Sequence, residues 1–372
     1  MIYNKFITYI LWYVALSNLC IAVSATPDTL SFIQPGGFEF KGYCRGDEWQ
    51  AWHETLDGWS IVKNDNNYWV YAVGVNGSRL ESSQAIVGLD DRPSFTKNGA
   101  LLQKHLKPER TINFEHSTDF SIRDMRSTIF TLPVLLVEYP DYGAIIDQDV
   151  INNLFNEDGY GHPGYPGSGS FKDFYFEISY GQFTPVATVS QWFTAPNNHN
   201  YYGDSQNNSS QRTRQLVRAI VDSAEAAGMD WAQFDNDGNG SVEGLTIVHA
   251  GPGAEQGDLS NIWSHRWNLG NLAVQYDGVL ISDYCINPET QNGNVTAIGV
   301  ICHEFGHILG LPDLYDTDYS STGAGKLALM GSGSWGTAGN TPWYPSAMNA
   351  WSKVEMGWGN NVLLNTCLLY TS

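Results

Sequence analysis

The stretch Val300–Asp316 reads VICHEFGHILGLPDLYD and organises the interpretation of the whole chain. His303 and His307 are four residues apart, so a helix carries both imidazoles on one face, where they can bind one metal ion. Glu304 lies between them, where its carboxylate can reach a water molecule at that metal. This HExxH spacing is typical of a zinc hydrolase, with two ligands and a general base.

The residues that follow the helix supply a third candidate ligand. Gly310 comes three residues after His307, where a glycine can adopt the left-handed conformation that ends a helix and turns the chain. Asp313 then stands where the chain can return it to the metal. Three protein ligands with a fourth position left for water are the catalytic form of a zinc site, so the sequence predicts an enzyme.

The segment HEFGHILGLPD resembles the extended HExxHxxGxxD motif of the immune inhibitor A family of secreted zinc metallopeptidases, relatives of the metzincins. An aspartate replaces the usual third histidine in that family. The resemblance implies an α+β fold, in which a metzincin-like zincin catalytic domain with a mixed sheet and a zinc helix follows a small β-rich propeptide. It also implies a methionine-containing turn beneath the metal. Met330 in LALMGSGSWG is the candidate, although in isolation it would be interpreted as core filler.

Length and composition limit the class of protein. The chain has 372 residues, enough for two or three domains, and 42% of them are hydrophobic, as expected for a globular protein. The formal net charge is −20. Such a chain would repel a phosphate backbone, so nucleic acid is not an expected partner. The acidic balance fits a soluble extracellular protein, in which clustered carboxylates often hold calcium.

Residues 1–25 have the features of a secretory signal peptide. Lys5 supplies the positive charge, a largely apolar run follows, and small residues at positions 23–25 form a cleavage site. An uncleaved membrane anchor is the alternative, because the apolar run is long. We expect a secreted, extracellular protein with no stable membrane insertion after signal cleavage.

The rest of the chain divides into two predicted units. Residues 26–126 contain GDEWQAWHETLDGW, resemble the family's N-terminal propeptide and form the predicted propeptide, with Arg123 and Arg126 as candidate processing points. Residues 127–365 form the predicted catalytic domain. The last residues, CLLYTS at 367–372, match one frame of a transposon-end sequencing adapter. We interpret them as foreign, and we expect that the native chain continued past about Asn365.

A propeptide of a metalloenzyme must block the open position at the metal. Cys44 is one candidate for this role, because a thiolate binds zinc well. Asp47 or Glu48 could do the same with a carboxylate. Ordinary structural roles explain all three residues equally well, so the sequence does not decide which residue, if any, blocks the metal.

A second candidate metal site lies in FDNDGNGSVE, residues 234–243. Its oxygen-bearing side chains alternate along the loop: Asp235, Asp237, Asn239 and Glu243. Gly240 permits the tight turn, and the spacing matches the first nine positions of an EF-hand-like calcium loop. The last position of such a loop is Thr246 here, which lacks the bidentate carboxylate. The pattern predicts a single structural Ca²⁺, and the alternative is a solvated turn rich in Asp and Asn.

The cysteines and the remaining histidines have less distinct patterns. Cys285 and Cys302 are the candidate disulfide pair, because secretion permits a bridge that would pin the zinc helix to the neighbouring sheet. Two buried free thiols are the alternative. Since the zinc site is already complete, we interpret His249 and His265 as structural histidines.

We therefore interpret the sequence as that of a secreted zinc-dependent endopeptidase. Glu304 is its general base, Zn²⁺ its cofactor, and proteins or peptides its substrates. One alternative is a non-catalytic binding or adhesion module on a metalloprotease scaffold, which has no use for Glu304. The other is a zinc hydrolase that acts on a different amide or ester.

Overall fold

A computed structural model describes residues 23–110, 128–203, 209–316, 321–337 and 340–359. Most of the predicted signal peptide, the predicted processing points Arg123 and Arg126, and the C-terminal residues 367–372 lie outside these ranges. Within the described ranges, no helix combines the length and the apolar character needed to cross a membrane.

The N-terminal part of the described chain is a six-stranded antiparallel sheet in which each strand pairs with the next one along the chain. Its strands are β1 Leu30–Ile33, β2 Glu39–Asp47, β3 Gln50–Thr55, β4 Ser60–Lys63, β5 Trp69–Asn76 and β6 Arg79–Ile86. Two of its turns require a left-handed residue, which Gly58 and Asn67 supply with φ of 88° and 62°. We call residues 30–86 the N-terminal module; its β-rich character agrees with the sequence pattern.

The larger part of the chain is built on a mixed sheet with the order β10-β13-β9-β7-β8, to which β14 is added beside β13. The strands are β7 Ile129–Glu138, β8 Thr184–Thr194, β9 Leu245–Pro252, β10 His265–Asn268, β11 Val274–Tyr276, β12 Val279–Ile281, β13 Asp283–Gln291 and β14 Asn294–Val295. Strand β7 is parallel to both β8 and β9, and β9 is parallel to β13. Strand β10 runs antiparallel to β13, and β11 and β12 form a separate hairpin.

Six α-helices accompany this sheet in the described ranges. They are α1 Gln148–Asn156, α2 Phe171–Ile178, α3 His199–Tyr202, α4 Ser209–Ala226, α5 Ile298–Ile308 and α6 Ala350–Glu355. Helix α2 begins at a capping box, in which Ser170 accepts from the Asp173 amide and Asp173 accepts from the Ser170 amide. The chain leaves α2 through Gly181, whose φ is 76°.

The sheet separates two hydrophobic cores, because the interior strand β7, between β8 and β9, is apolar on both faces. One core contains α1, α2 and α5 with a group of aromatic rings around Phe305. The other contains α4, whose predicted apolar face is fully buried: Leu216, Val217, Ile220, Val221 and Ala224. The first core surrounds α5, the helix that carries the HExxH residues, and holds it against the sheet.

The predicted bridge between Cys285 and Cys302 is not formed, because both residues are buried free thiols. The Cys285 sulfur lies 3.3 Å from the hydroxyl of Thr246, its neighbour in register on β9. Burial raises the pKa of Cys285 to about 12 and that of Cys302 well above its ordinary value. Each thiol fills space in an apolar core, so the alternative of two free cysteines describes this structure.

Candidate metal centre and active site

Helix α5 carries the HExxH residues in the interior of the protein. All of its residues are buried, including His303, Glu304 and His307. The helix ends as the sequence predicts: Gly310 has φ of 91°, and the Leu311 amide donates to the carbonyl of Gly306. This turn reverses the chain and brings the residues after the helix back beside the two histidines.

The three predicted zinc ligands form a compact triangle of donor atoms. His303 Nε2 lies 3.2 Å from His307 Nε2. Asp313 Oδ1 lies 3.0 Å from His303 Nε2 and 3.4 Å from His307 Nε2. Donors about 2.0–2.1 Å from a tetrahedral zinc ion would be about 3.3 Å from one another. The spacing of the donors therefore fits a zinc ion in both chemistry and size.

Main-chain carbonyls set the tautomers of both imidazoles. His303 Nδ1 lies 2.9 Å from the carbonyl oxygen of Leu329, and His307 Nδ1 lies 2.7 Å from that of Leu311. A carbonyl can only accept, so each Nδ1 carries a proton, and Nε2 is the nitrogen that is left to bind a metal ion when the imidazole is neutral. This is the arrangement that a metal-binding histidine requires.

Glu304 places a buried carboxylate next to this triangle. Its Oε1 accepts a hydrogen bond of 2.9 Å from the amide of Val23, while its Oε2 has no hydrogen-bond partner among the described residues. Burial raises the pKa of Glu304 to about 8, with the charge of His303 opposing and that of Asp313 adding to the shift. A buried oxygen without a partner is costly unless another molecule binds there, as a reacting water would.

The charges of the ligand triangle depend on one another. Burial disfavours protonation of both histidines, and it lowers the pKa of His307. At His303 the neighbouring Asp313 outweighs burial and raises the pKa to about 9. Burial also opposes the charge on Asp313, but the two histidines outweigh it and lower the pKa of that carboxyl. The site therefore holds a carboxylate and favours positive charge beside it, which a divalent cation would supply.

Met330 lies directly beneath the helix. A methyl group added at Gly306, between the two histidines, would lie 2.5 Å from the Met330 sulfur. Met330 is fully buried, and its carbonyl accepts from the amide of Leu314, next to Asp313. The structure thus brings the predicted Met-turn residue into contact with the floor of the site.

Comparison with known proteins identifies the family of this chain. Residues 136–360, more than half of the chain, match the family model described as the catalytic domain of immune inhibitor A peptidase M6. The chain belongs to the immune inhibitor A peptidase family. It carries the catalytic domain of a metallopeptidase, and its family implies a metal ion.

Two relatives illustrate the extent of the match. Immune inhibitor A of Bacillus thuringiensis subsp. alesti is 35% identical over an alignment 260 residues long, which covers 56% of this chain and 37% of that protein. Pre-pro-metalloprotease PrtV of Vibrio cholerae serotype O1 (strain M66-2) is 33% identical over an alignment 234 residues long, which covers 54% of this chain and 25% of that protein. This family member therefore spans little more than a third of one relative and a quarter of the other.

The active-site region of this immune inhibitor A peptidase also contains a segment that the sequence patterns did not indicate. Residues 23–26 run past the HExxH helix, and Val23 and Thr26 are buried. The indole of Trp263 donates to the carbonyl of Val23 at 2.9 Å, and that of Trp335 to the carbonyl of Ser24 at 3.0 Å. These contacts join residues far apart in the chain, so no local spacing signals them.

The three latency candidates of the N-terminal module lie outside the triangle of ligands. Cys44 is buried in an apolar cluster, and burial raises the pKa of its thiol to about 12, which disfavours the thiolate. Asp47 pairs with Arg110 at 2.8 Å and accepts from the Trp49 and Gln50 amides.

Glu48 has the features expected of a carboxylate that could block a metal, because neither of its carboxylate oxygens has a hydrogen-bond partner in the described ranges. Burial, followed by the charges of the nearby carboxylates, raises its pKa well above the ordinary value.

The predicted calcium loop brings its acidic groups together. Carboxylate oxygens of Asp235, Asp237 and Glu243 all lie within 4.8 Å of one another. Glu243 is buried and accepts from the amides of Asn236 and Asp237, whereas the Asn239 side chain bonds to Asp237 and to the Ser241 amide. Burial raises the pKa of Glu243. This convergence suits a hard cation, although several of the same oxygens also form the hydrogen bonds of an Asx-rich turn.

His249 and His265 belong to the sheet and not to the metal centre. His249 lies on β9, with Nδ1 3.0 Å from the carbonyl of Ala250, and His265 lies on β10, with Nδ1 2.7 Å from that of Trp263. Burial lowers their pKa values to about 3 and about 4. Within the described ranges, neither residue joins a group of three metal-binding side chains.

Proposed function

We propose that this chain is a secreted zinc-dependent endopeptidase that hydrolyses peptide bonds in extracellular proteins or peptides. The observation that carries the proposal is the triangle of His303, His307 and Asp313 donors, spaced 3.0–3.4 Å apart, with a partner-free oxygen of Glu304 beside it. Membership of the peptidase family supports the class of reaction.

In this mechanism the protein holds the metal and moves the proton. His303, His307 and Asp313 would hold the zinc ion, which when bound supplies the Lewis acidity that acidifies a water molecule and polarises a carbonyl. Glu304 takes a proton from the attacking water and gives it to the leaving amine. The Val23 amide at Glu304 Oε1 supports the second role, because it demonstrates that a peptide nitrogen fits within hydrogen-bond distance of this carboxylate.

We also infer that the N-terminal residues make the enzyme a zymogen. Residues 23–26 fill the space beside Glu304, and the Ala25 amide donates to the carbonyl of Gly46 in the N-terminal module. A substrate could not enter while this segment remains in place. This role requires Val23–Ala25 to stay attached to residues 26–126, the predicted propeptide, so signal-peptide cleavage would fall before Val23 and not after Ala25. Cleavage between the two units would then free the site.

We propose a structural Ca²⁺ at the loop formed by residues 234–243. The converging oxygens of Asp235, Asp237 and Glu243 support this assignment. The Asn236 side chain bonds to the main chain of Thr131 at the start of β7, so an ordered loop would anchor that strand. Thr246, at the position of the missing carboxylate, lies in β9 and faces Cys285. The site would therefore be a single anchoring point rather than a sensor.

Two other functions are compatible with the same scaffold. A non-catalytic binding module would not need a buried carboxylate beside the three ligands, because an unpartnered buried oxygen destabilises the fold. A zinc hydrolase acting on another amide or ester would keep Glu304, and only its substrates would distinguish it.

Digestion of casein by the processed protein, with metal analysis of the same sample, tests the proposal. We expect one zinc ion per chain and proteolysis that is lost in Glu304→Ala, although this variant keeps its zinc. Zinc at full occupancy without proteolysis would favour one of the other functions. Correctly folded protein with no zinc would refute the proposal.

A further inference from the structure

We propose that the side-chain amides of Asn156 and Gln148, on helix α1, close the outer edge of strand β8 against a second copy of this chain. The outer edge comprises the main-chain groups of β8 that face away from β7. With this edge open, β8 would pair with β8 of another molecule and join the two sheets. Helix α1 is the element that prevents this contact.

Strand β8 lies at one end of the mixed sheet and is long for an edge strand. It pairs with β7 on one side, and no other strand of the described ranges pairs with it on the other. With 11 residues, it is about twice as long as a typical strand. A long edge presents a row of main-chain donors and acceptors to which a strand of another molecule can bind.

The sequence of β8 lacks the charges that commonly protect such an edge. TPVATVSQWFT, residues 184–194, contains no charged residue, and the stretch from Val186 to Phe193 contains neither proline nor glycine. Val186 is exposed, as is Ile129 on the adjoining strand β7. Exposed, uncharged segments of high β-propensity pair readily with one another. Another feature must therefore block this edge.

The side chain of Asn156 occupies the main-chain groups of Ala187, in the first half of β8. Asn156 Nδ2 donates to the carbonyl of Ala187 at 3.0 Å, and Asn156 Oδ1 accepts from the Ala187 amide at 2.9 Å. A neighbouring strand would form the same two bonds, so this amide takes the place of a strand. The same Nδ2 also donates to Asn152 Oδ1 at 3.0 Å, one turn earlier on α1, so each of its hydrogens has an acceptor.

The positions on either side of Ala187 are blocked by other means. Pro185 has no amide hydrogen to donate. Gln148 Nε2, at the start of α1, donates to the carbonyl of Val189 at 3.1 Å. Beyond Val189 the register with β7 shifts, and such an irregularity bends an edge strand away from the flat shape that pairing requires. The closed part of the edge thus runs from Pro185 to Val189.

A second copy is the partner that the geometry favours. Two β8 edges related by a two-fold axis run antiparallel, and each presents the same uncharged sequence to the other. The formal net charge of −20 resists the approach of two copies, but β8 itself adds nothing to this repulsion. Salt screens repulsion between exposed charges, so we expect association through an opened edge at physiological ionic strength.

Sedimentation of Asn156→Ala over a range of concentrations tests the closure. The full chain carrying Glu304→Gln is the parent, so that proteolysis does not alter the molecules during the measurement. We expect the mass of the parent to be independent of concentration and that of Asn156→Ala to rise with concentration by up to a factor of two. A mass equal to that of the parent at every concentration would overturn the proposal.

Hydrogen exchange at Ala187 tests whether β8 is the contact. At low concentration the Ala187 amide should exchange about two- to tenfold faster in Asn156→Ala than in the parent, because its acceptor is lost. At concentrations at which the variant associates, protection should return, since the partner strand supplies a new acceptor. Association without protection at Ala187 would place the contact elsewhere and refute the assignment.

Two further variants separate edge pairing from a general loss of stability. Asn153→Ala removes an exposed amide from the same helix and should not associate. Adding Thr188→Lys to Asn156→Ala places a charge at an exposed position of β8 and should abolish association, although the lost bonds are not restored. Association of Asn153→Ala equal to that of Asn156→Ala, or association that persists with Thr188→Lys, would attribute the effect to a weakened fold and overturn the proposal.

Discussion

The main-chain nitrogen of Val23 lies 2.9 Å from Oε1 of Glu304, although 281 positions separate the two residues in the chain. The N-terminal segment therefore satisfies one of the two carboxylate oxygens on which the proposed chemistry depends. When this segment leaves, both oxygens become available to water and substrate. The same contact that stabilises the precursor would in this way keep the general base from acting.

Replacing Glu304 should separate metal binding from catalysis. In Glu304→Gln we expect zinc occupancy close to that of the wild type, because the three ligands remain, and kcat lower by about 10²–10⁴-fold, because no group accepts the proton. Metal analysis and peptide turnover on one preparation measure both quantities. Unchanged turnover would eliminate Glu304 as the general base.

Removing Asp313 should release the metal itself. Asp313→Ala takes away the only anionic donor of the triangle, so we expect a marked fall in zinc occupancy after dialysis against a weak chelator, together with loss of activity. Asp316→Ala, three residues further along the same loop, is the control and should retain the metal. Full occupancy in Asp313→Ala would exclude this carboxylate as a ligand.

Gly306→Ala tests the contact between the helix and Met330. Alanine is favoured over glycine by about 0.5–1 kcal/mol inside a helix, so propensity alone predicts stabilisation. The added methyl would lie 2.5 Å from the Met330 sulfur in a fully packed region, and we expect the clash to dominate and lower Tm. In Gly143→Ala, where the nearest neighbour of the new methyl is 3.6 Å away, Tm should change little. A higher Tm in Gly306→Ala would contradict the close packing.

The buried histidines of the sheet should make the fold sensitive to acid. Burial lowers the pKa of His249 to about 3, whereas an unfolded histidine titrates near 6.5. Between these values the unfolded chain binds a proton that the folded chain does not. The free energy of unfolding should therefore fall as pH decreases below 6.5, by about 1.4 kcal/mol per pH unit for this residue.

Urea unfolding of His249→Gln between pH 6 and pH 4 measures this effect. We expect a slope shallower than that of the wild type by about 1.4 kcal/mol per pH unit. Val248→Ala is the control, because it destabilises the neighbouring position on β9 without changing a titrating group, and its slope should match the wild type. Equal slopes in all three proteins would mean that His249 is not held neutral by the fold.

The loop at residues 234–243 should bind one lanthanide per chain if it is a calcium site. Energy transfer from tryptophan to Tb³⁺ measures this binding, and we expect Asp237→Ala to weaken it at least tenfold because a charged ligand is lost. Asp65→Ala alters an Asx-rich turn of the N-terminal module and should leave Tb³⁺ binding intact. Identical titrations for Asp237→Ala and the wild type would favour the solvated turn.

Local spacing predicted the parts of the site that helix geometry controls. The four-residue spacing of His303 and His307 is sufficient to place two imidazoles on one face, and Gly310 marked the end of the helix and the return toward Asp313. The apolar face of α4 and the capping box at Ser170 were likewise visible, since each depends on residues within one or two turns.

Contacts between distant segments could not be predicted in the same way. The placement of Val23 against Trp263 and Trp335 depends on the packing of both ends of the chain, and the sequence of residues 23–25 indicated only a signal-peptide cleavage site. The disulfide prediction was wrong for a related reason. It assumed that a strand and a helix that pack together also align their thiols, whereas register places Cys285 opposite Thr246.

The acceptors that orient the two imidazoles of α5 are main-chain oxygens of Leu311 and Leu329. Substitution at either position would change an aliphatic side chain and leave its carbonyl in place. A point mutation at Leu311 or Leu329 would therefore leave intact the hydrogen bonds that fix which nitrogen of each histidine carries a proton. Relatives could diversify both flanking loops, and with them the shape of the cleft, while preserving one unaltered coordination chemistry.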